Sequence, residues 1–385
     1  MTTFNKMKIL VTQSGFKHSL GLMRHLAQLG HEVYGLAPPT ATRRFIARQS
    51  RYPKAIYPLD QNSEAEFVRQ LIDLQAKAQF DVLIPVGFPV TEFVSRHADV
   101  LLSHIKFVAT PIQQLELAED KLRVAQRCQE LGVPSPKTLQ VQSLDALSSI
   151  AQQITYPIVI KGRKESAKGI VDYAHSADEL VGKFGTMCQK FELTDPTQYP
   201  ILQEYVAGHG AGFFALYDRG EIKRMFMHRR IREYPPSGGP SCCAESFYDE
   251  RLLDTGKRLL DGLKWHGIAM VECRFDPVEN NYKVIEINPK FWGSLELALA
   301  AGADFVSDYV KLAMGQSLTY NDAYKNIRFQ WVLDGDLSHA IKRKEARGAF
   351  LKDLINPKVQ KDIRLDDVRV TISKMLLFIM NLRHL

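Results

Sequence analysis

The sequence predicts an α/β protein of two or three domains that opens on a doubly wound parallel sheet, and three observations carry this reading. At 385 residues the chain exceeds one ordinary core. Residues 8–37 read strand, loop, helix, strand, and the alternation continues through the buried-type run 82–86 and the helical pattern after it. Residues 268–293, IAMVECRFDPVENNYKVIEINPKFWG, place two alternating apolar runs around a turn-rich segment and read as a β-hairpin.

Composition narrows the function classes. A hydrophobic content of 45% and a charged content of 24% are those of a globular enzyme and exclude a disordered chain. The formal net charge of +7 is spread out: it suits anionic ligands such as nucleotides, while the lack of a concentrated Lys/Arg stripe argues against nucleic acid. Five cysteines, Cys242 and Cys243 adjacent, follow neither a disulfide framework nor zinc-ligand spacing, which fits reducing conditions. No signal-like segment precedes the first strand, and no apolar run approaches the ~20 residues of a membrane span. A soluble cytoplasmic protein is expected.

In the first domain, residues 1–110, Lys17, His18 and Ser19 fall near a helix N-terminus, where anions bind readily. A dinucleotide site fits poorly, because the loop lacks GxGxxG and the second strand ends in Leu36-Ala37-Pro38 without a ribose-binding acid. The loop after Val86, with Thr91 and Glu92, falls at the C-terminal end of a strand, where such sheets place ligands.

From Pro111 the pattern changes to one polar helical stretch ending at Gly132, with Pro134 beyond it. A strand at 157–160 then delivers Lys161 and the loop KESAKG, so that Lys161 and Lys164 or Lys168 bracket a turn able to fold over phosphates. Solvated surface lysines are the plain alternative. Residues 201–220 read as a strand, a glycine-rich break and a return, with Gln203 and Tyr205 on one face and Glu204 and Val206 on the other. Arg229, Arg230 and Arg232 lead into an irregular loop rich in Pro and Gly at 235–240, a kind of segment that often carries function; an ordinary solvated strand face is the alternative.

The hairpin supplies the chemistry. With the turn centred on Glu279, Glu272 faces Glu286, and Asn288 follows on the same face. Opposed Cβ atoms lie roughly 4.5–5.5 Å apart, and like charges there repel. A shared Mg²⁺ resolves the repulsion, since two carboxylates and an amide oxygen form part of a shell that substrate phosphates and water complete. Solvated glutamates paired with Arg274 or Lys290 are the alternative. Beyond Gly293 a helix stops at Gly302, and a basic segment leads to an amphipathic tail that packs on its own chain, pairs with a second copy in a homodimer, or lies on a membrane surface.

Taken in order, these motifs resemble the ATP-grasp proteins of the carboxylate–amine ligase kind, similar to carbamoyl-phosphate synthase, biotin carboxylase and D-alanine ligase. The resemblance implies a Rossmann-like pre-ATP-grasp domain at 1–110 and a two-lobed α+β ATP-grasp domain at 111–315. One lobe, 111–200, carries the glycine loop; the other, 201–315, carries the hinge and metal hairpin; 316–385 form a small C-terminal extension. By the same resemblance Lys121 and Lys161 touch the phosphates, and the loop 165–169, with Lys168 and Gly169, closes over them. Gln203, Glu204 and Val206 form the hinge against adenine, with His209 near the ribose. Glu272, Glu286 and Asn288 hold Mg²⁺, or Mn²⁺, and Lys290 stands where an arginine is frequent. Arg229 and Arg232, with the loop 237–241, hold an acyl phosphate and a substrate carboxylate, since guanidinium matches both shapes. The implied activity is ATP-dependent amide formation from a small-molecule carboxylate and an amine. A bicarbonate-using carboxylase or carbamoyl-phosphate-type enzyme and a non-catalytic nucleotide binder are the rivals.

Overall fold

The computed structural model describes residues 6–164, 171–236 and 238–381. The first sheet comprises β1 (Lys8–Val11), β2 (Glu32–Ala37), β3 (Ala55–Pro58) and β4 (Val82–Ile84), all parallel in the order β3-β2-β1-β4. Ile9, Leu10, Val11 and the whole of β4 are fully buried, as expected for central parallel strands covered on both faces. The strand order reverses between β1 and β4, which opens a crevice outside their C-terminal ends.

A second, antiparallel sheet contains β5 (Thr138–Gln140), β6 (Ile158–Lys161), β7 (Val171–Ala174) and β8 (Ile201–Glu204) in the order β5-β8-β6-β7. The helices Leu144–Ala151 and Ala177–Lys190 each begin at a serine, Ser143 and Ser176, whose hydroxyl accepts from a backbone N–H of the first turn. They pack with the sheet around Leu147, Ile160, Phe184 and Leu202.

The largest sheet contains β9 (Gly210–Asp218), β10 (Glu221–Glu233), β11 (Ser241–Ser246), β12 (Gly267–Asp276), β13 (Asn281–Asn288), β14 (Arg328–Gln330) and β15 (Gln360–Lys361). Their order is β13-β12-β9-β10-β11-β14-β15. One face buries Phe213 and Val271 with Leu259 of the helix Glu250–Gly262. The other joins Phe214 and Phe226 to Leu22 and Leu26 of the helix Lys17–Gln28, so this sheet and the first domain share a core. The chain beyond 316 is woven into the sheet through β14 and β15. Its last helix, Val368–Asn381, starts beside the first domain, where Asp367 accepts from Arg24 (3.2 Å) and Asp366 from Tyr52 (2.6 Å). No helix among the described residues is long and apolar enough to cross a membrane.

The helical stretch expected to run unbroken from 112 divides into Ile112–Glu119 and Lys121–Glu130. Asp120 takes an extended conformation between them and caps the second helix by accepting from the N–H groups of Leu122 and Arg123. Lys121 thereby becomes the first residue of a helix.

Candidate active site

The hairpin expected to hold a metal forms β12 and β13, and its turn is tightened by Asp276, which accepts from the backbone of Val278 (2.8 Å) and Glu279 (3.3 Å). The turn is centred between Val278 and Glu279, half a residue before the expected centre, since Asp276 pairs with Asn281 and Cys273 with Val284. Continued in that register, Glu272 would face Ile285. A bulge at Ile285 shifts the ladder by one and brings Glu272 opposite Glu286 after all. Asn288 donates to Glu286 Oε1 at 3.1 Å.

Both glutamates line a cleft of about 890 Å³. Glu286 Oε2 lies 3.4 Å from Lys161 Nζ and 3.6 Å from Lys121 Nζ. Lys161 ends β6; Lys121 is set by the Asp120 cap, which Arg163 clamps through contacts of 2.7–3.0 Å. Burial pushes the Glu286 carboxyl up, but the two lysines and Asn288 outweigh it and hold the group at about 2. Glu272 moves the opposite way: burial raises it, Arg230 opposes, and the charge of Glu286 adds to the rise. Among the described residues no three His, Cys, Asp or Glu side chains converge to hold a metal unaided. Two opposed carboxylates with an amide still form the donor set of a cation that shares its shell with phosphate oxygens.

Gln203, Glu204 and Val206 line the cleft where the chain leaves β8 for the large sheet. Glu204 is held by Lys283 (3.1 Å) and by the backbone N–H of Lys137 (2.9 Å). His209, expected near a ribose, is not among the cleft-lining residues; its ring stacks on Phe275 at 5.4 Å and meets Tyr282 edge-on. The two hairpin rings offer it an apolar seat. Lys290 lines the cleft, its ammonium 5.9 Å from the Phe88 ring centre. Lys168, Gly169 and the rest of the loop 165–169, with Ser237, lie outside the described residues.

The arginines of β10 require a correction. Arg229 is on the solvent side with Glu245 (2.6 Å). Arg232 is buried in a bidentate contact with Asp336 (2.7 and 2.9 Å) and also reaches Asp353 (2.7 Å). The cleft receives Arg230, which reaches Glu272 at 2.8 Å and Glu233 at 3.3 Å. Strand alternation separates Arg229 from Arg230, and an irregularity around residue 231 redirects Arg232. His228, two residues before Arg230 on the same strand, is buried against Phe214 and bonded to Ser294 Oγ at 2.7 Å. Burial and the Arg230 charge push His228 down to about 3, so it is neutral at pH 7.

The first domain also reaches the cleft. Gln13, Phe16 and His18 after β1 and Gly87 to Pro89 after β4 line it, at the point where the parallel sheet reverses its order. Thr91 and Glu92 do not line it: Thr91 donates to the Gly87 carbonyl (2.9 Å), and Glu92 pairs with Arg96.

No protein-family model matches the chain. Solved structures do resemble it. A biotin carboxylase from Campylobacter jejuni, in a β-γ-ATP complex, aligns at a TM-score of 0.67 and 17% identity, covering 84% of this chain and 74% of that one. An L-amino acid ligase from Bacillus licheniformis gives 0.62 at 15% identity, covering 80% and 74%. A phosphoribosylamine–glycine ligase from Thermotoga maritima gives 0.61 at 13% identity, covering 83% and 78%. This is the ATP-grasp fold. The small sheet and the large sheet both line the cleft, and the opposed glutamates sit on its large-sheet side.

Proposed function

We propose that this protein is an ATP- and Mg²⁺-dependent ligase that joins a small-molecule carboxylate to an amine through an acyl phosphate, releasing ADP and phosphate. One observation carries the reading: Glu272 and Glu286 face each other across β12 and β13 inside a cleft that Lys161 enters from the small sheet and Lys121 from the start of a helix packed on the large one. In this reading Glu272, Glu286 and Asn288 hold the metal, with Mn²⁺ as a substitute. When bound, it neutralises phosphate charge and fixes phosphate geometry. Lys121 and Lys161 exchange Glu286 for phosphate oxygens, and Gln203 to Val206 seat the base. Arg230 takes the place first given to Arg229 and Arg232, holding the anionic acyl phosphate. A carboxylate oxygen of the acid attacks the γ-phosphorus and ADP departs; the amine nitrogen then attacks the acyl carbon, phosphate departs, and the nitrogen gives up a proton. Five free, buried cysteines accord with a reducing compartment, and the proposal places the protein in the cytoplasm.

Incubation with ATP, Mg²⁺ and pooled acids and amines tests the proposal. Release of ADP and phosphate that needs both an acid and an amine is expected. Release with bicarbonate alone would indicate the carboxylating alternative, and nucleotide binding without release under any combination would indicate a binder.

A further inference from the structure

Two ammonium groups converge on one carboxylate oxygen in the cleft, yet their backbones belong to different parts of the protein. Lys161 is the last residue of β6 in the small sheet. Lys121 opens the helix Lys121–Glu130, whose Val124 and Cys128 share a core with Ala211 and Phe213 of the large sheet. Their Nζ atoms stand 3.4 and 3.6 Å from Glu286 Oε2. Like charges this close repel, and each ends a flexible four-carbon stem, so neither ammonium keeps its place better than the backbone that carries it.

A single residue fastens the two backbones together. Arg163 follows Lys161 by two positions, and its carbonyl accepts from the Lys121 backbone N–H at 3.0 Å. Its guanidinium grips both oxygens of Asp120, the residue before Lys121, through three contacts of 2.7–3.0 Å. Asp120 is 4% exposed, and its Oδ1 also accepts from the N–H groups of Leu122 and Arg123, so the carboxylate is fixed to the helix that it caps. A planar, two-point grip on such an anchor sets direction as well as distance. The side of the cleft given to the base has a separate tie: Glu204, which closes β8, pairs with Lys283 of β13 at 3.1 Å.

We infer that Arg163 is a positioning residue that sets the spacing of Lys121 and Lys161, and through them the affinity for the polyphosphate, while the nucleoside is left to the residues around Glu204. This rests on the ligase reading and deepens it by separating what holds the phosphates from what holds the base. Arg163→Gln removes the guanidinium grip but leaves Asp120 its two N–H donors and Lys121 its backbone bond. Arg163→Lys returns the charge to Asp120 without the two-point contact.

The test is isothermal titration calorimetry on the full chain, with the Mg²⁺ complex of a non-hydrolysable ATP analogue and with adenosine. The parent is expected to bind the analogue at least about 10²-fold more tightly than adenosine. In Arg163→Gln the analogue is expected to lose about tenfold and adenosine less than about twofold, with Arg163→Lys recovering part of the loss. An unchanged affinity for the analogue, an equal loss on both ligands, or no recovery in Arg163→Lys would each overturn the assignment. If Arg163→Gln does not fold, Arg163→Lys carries the comparison alone, with a loss of about threefold expected on the analogue and none on adenosine. A parent without preference for the analogue would overturn the ligase reading and this inference with it, whereas a parent with the preference and an unchanged variant overturns this inference alone.

Discussion

Two clusters of the large sheet pair buried carboxylates with arginine, yet they differ in how completely the charges are satisfied. Around Arg232, Asp336 is held bidentately and also accepts from Gln330 (2.8 Å), while Asp353 accepts from Arg232 (2.7 Å) and Arg328 (3.0 Å). Around Arg230, Glu272 and Glu286 oppose each other, and the two lysines stop 3.4 and 3.6 Å from Glu286. The first cluster is buried, with each carboxylate held by two side chains. The second borders an open cleft and leaves its lysines beyond close hydrogen-bond distance, so an anion carrying a cation can exchange into it. Both clusters set two buried or half-buried carboxylates beside arginine; satisfaction and access separate architecture from chemistry.

Breaking the buried cluster has the largest expected effect. Arg232→Ala leaves Asp336 and Asp353 buried without their main partner, and urea unfolding is expected to show a loss of about 3–5 kcal/mol. Glu286→Gln strikes the open cluster instead: ADP release is expected to fall at least about 10²-fold while near-ultraviolet circular dichroism is unchanged. An active Glu286→Gln enzyme would remove the metal assignment.

A smaller effect comes from pH. His228 titrates at about 3 in the fold and near 6.5 when unfolded, so the unfolded chain takes up the proton first. Its contribution to stability is whole above pH 6.5 and is lost as pH falls toward 3, at up to about 1.4 kcal/mol per pH unit. Urea unfolding at pH 7 and pH 5 is expected to show a shallower loss in His228→Gln than in the parent; equal losses would mean His228 does not set the slope. Arg229→Ala, which removes a solvent-side pair, is expected to cost less than about 1 kcal/mol and to leave ADP release unchanged.

The sequence revealed the opposed glutamates because alternation and turn composition are local, although the register depends on a bulge at Ile285 that compensates for a turn centred differently. The β10 arginines were misassigned because three basic residues in four positions look equivalent until the sheet fixes which face meets the cleft. Asp120 was legible as a polar residue within a helical pattern, but its role as a break depends on Arg163, 43 residues away. Phe16, His18 and Phe88 join the site through the reversal between β1 and β4, a property of strand order that no window of residues carries. The strands β14 and β15, three and two residues long, are defined by distant partners rather than by their own pattern.

The four-stranded antiparallel sheet has one more consequence. Thr138 at its entry and Gln203 near its exit are direct neighbours across the β5–β8 ladder, and the side chains that fill its interior come from residues 141–202. The segment is thus a cassette whose two ends meet at a single splice point, where closing the surrounding chain costs little entropy. An engineer can exchange the wall that contributes Lys161 while keeping the rest of the cleft, and the two sides of the cleft become separately replaceable parts.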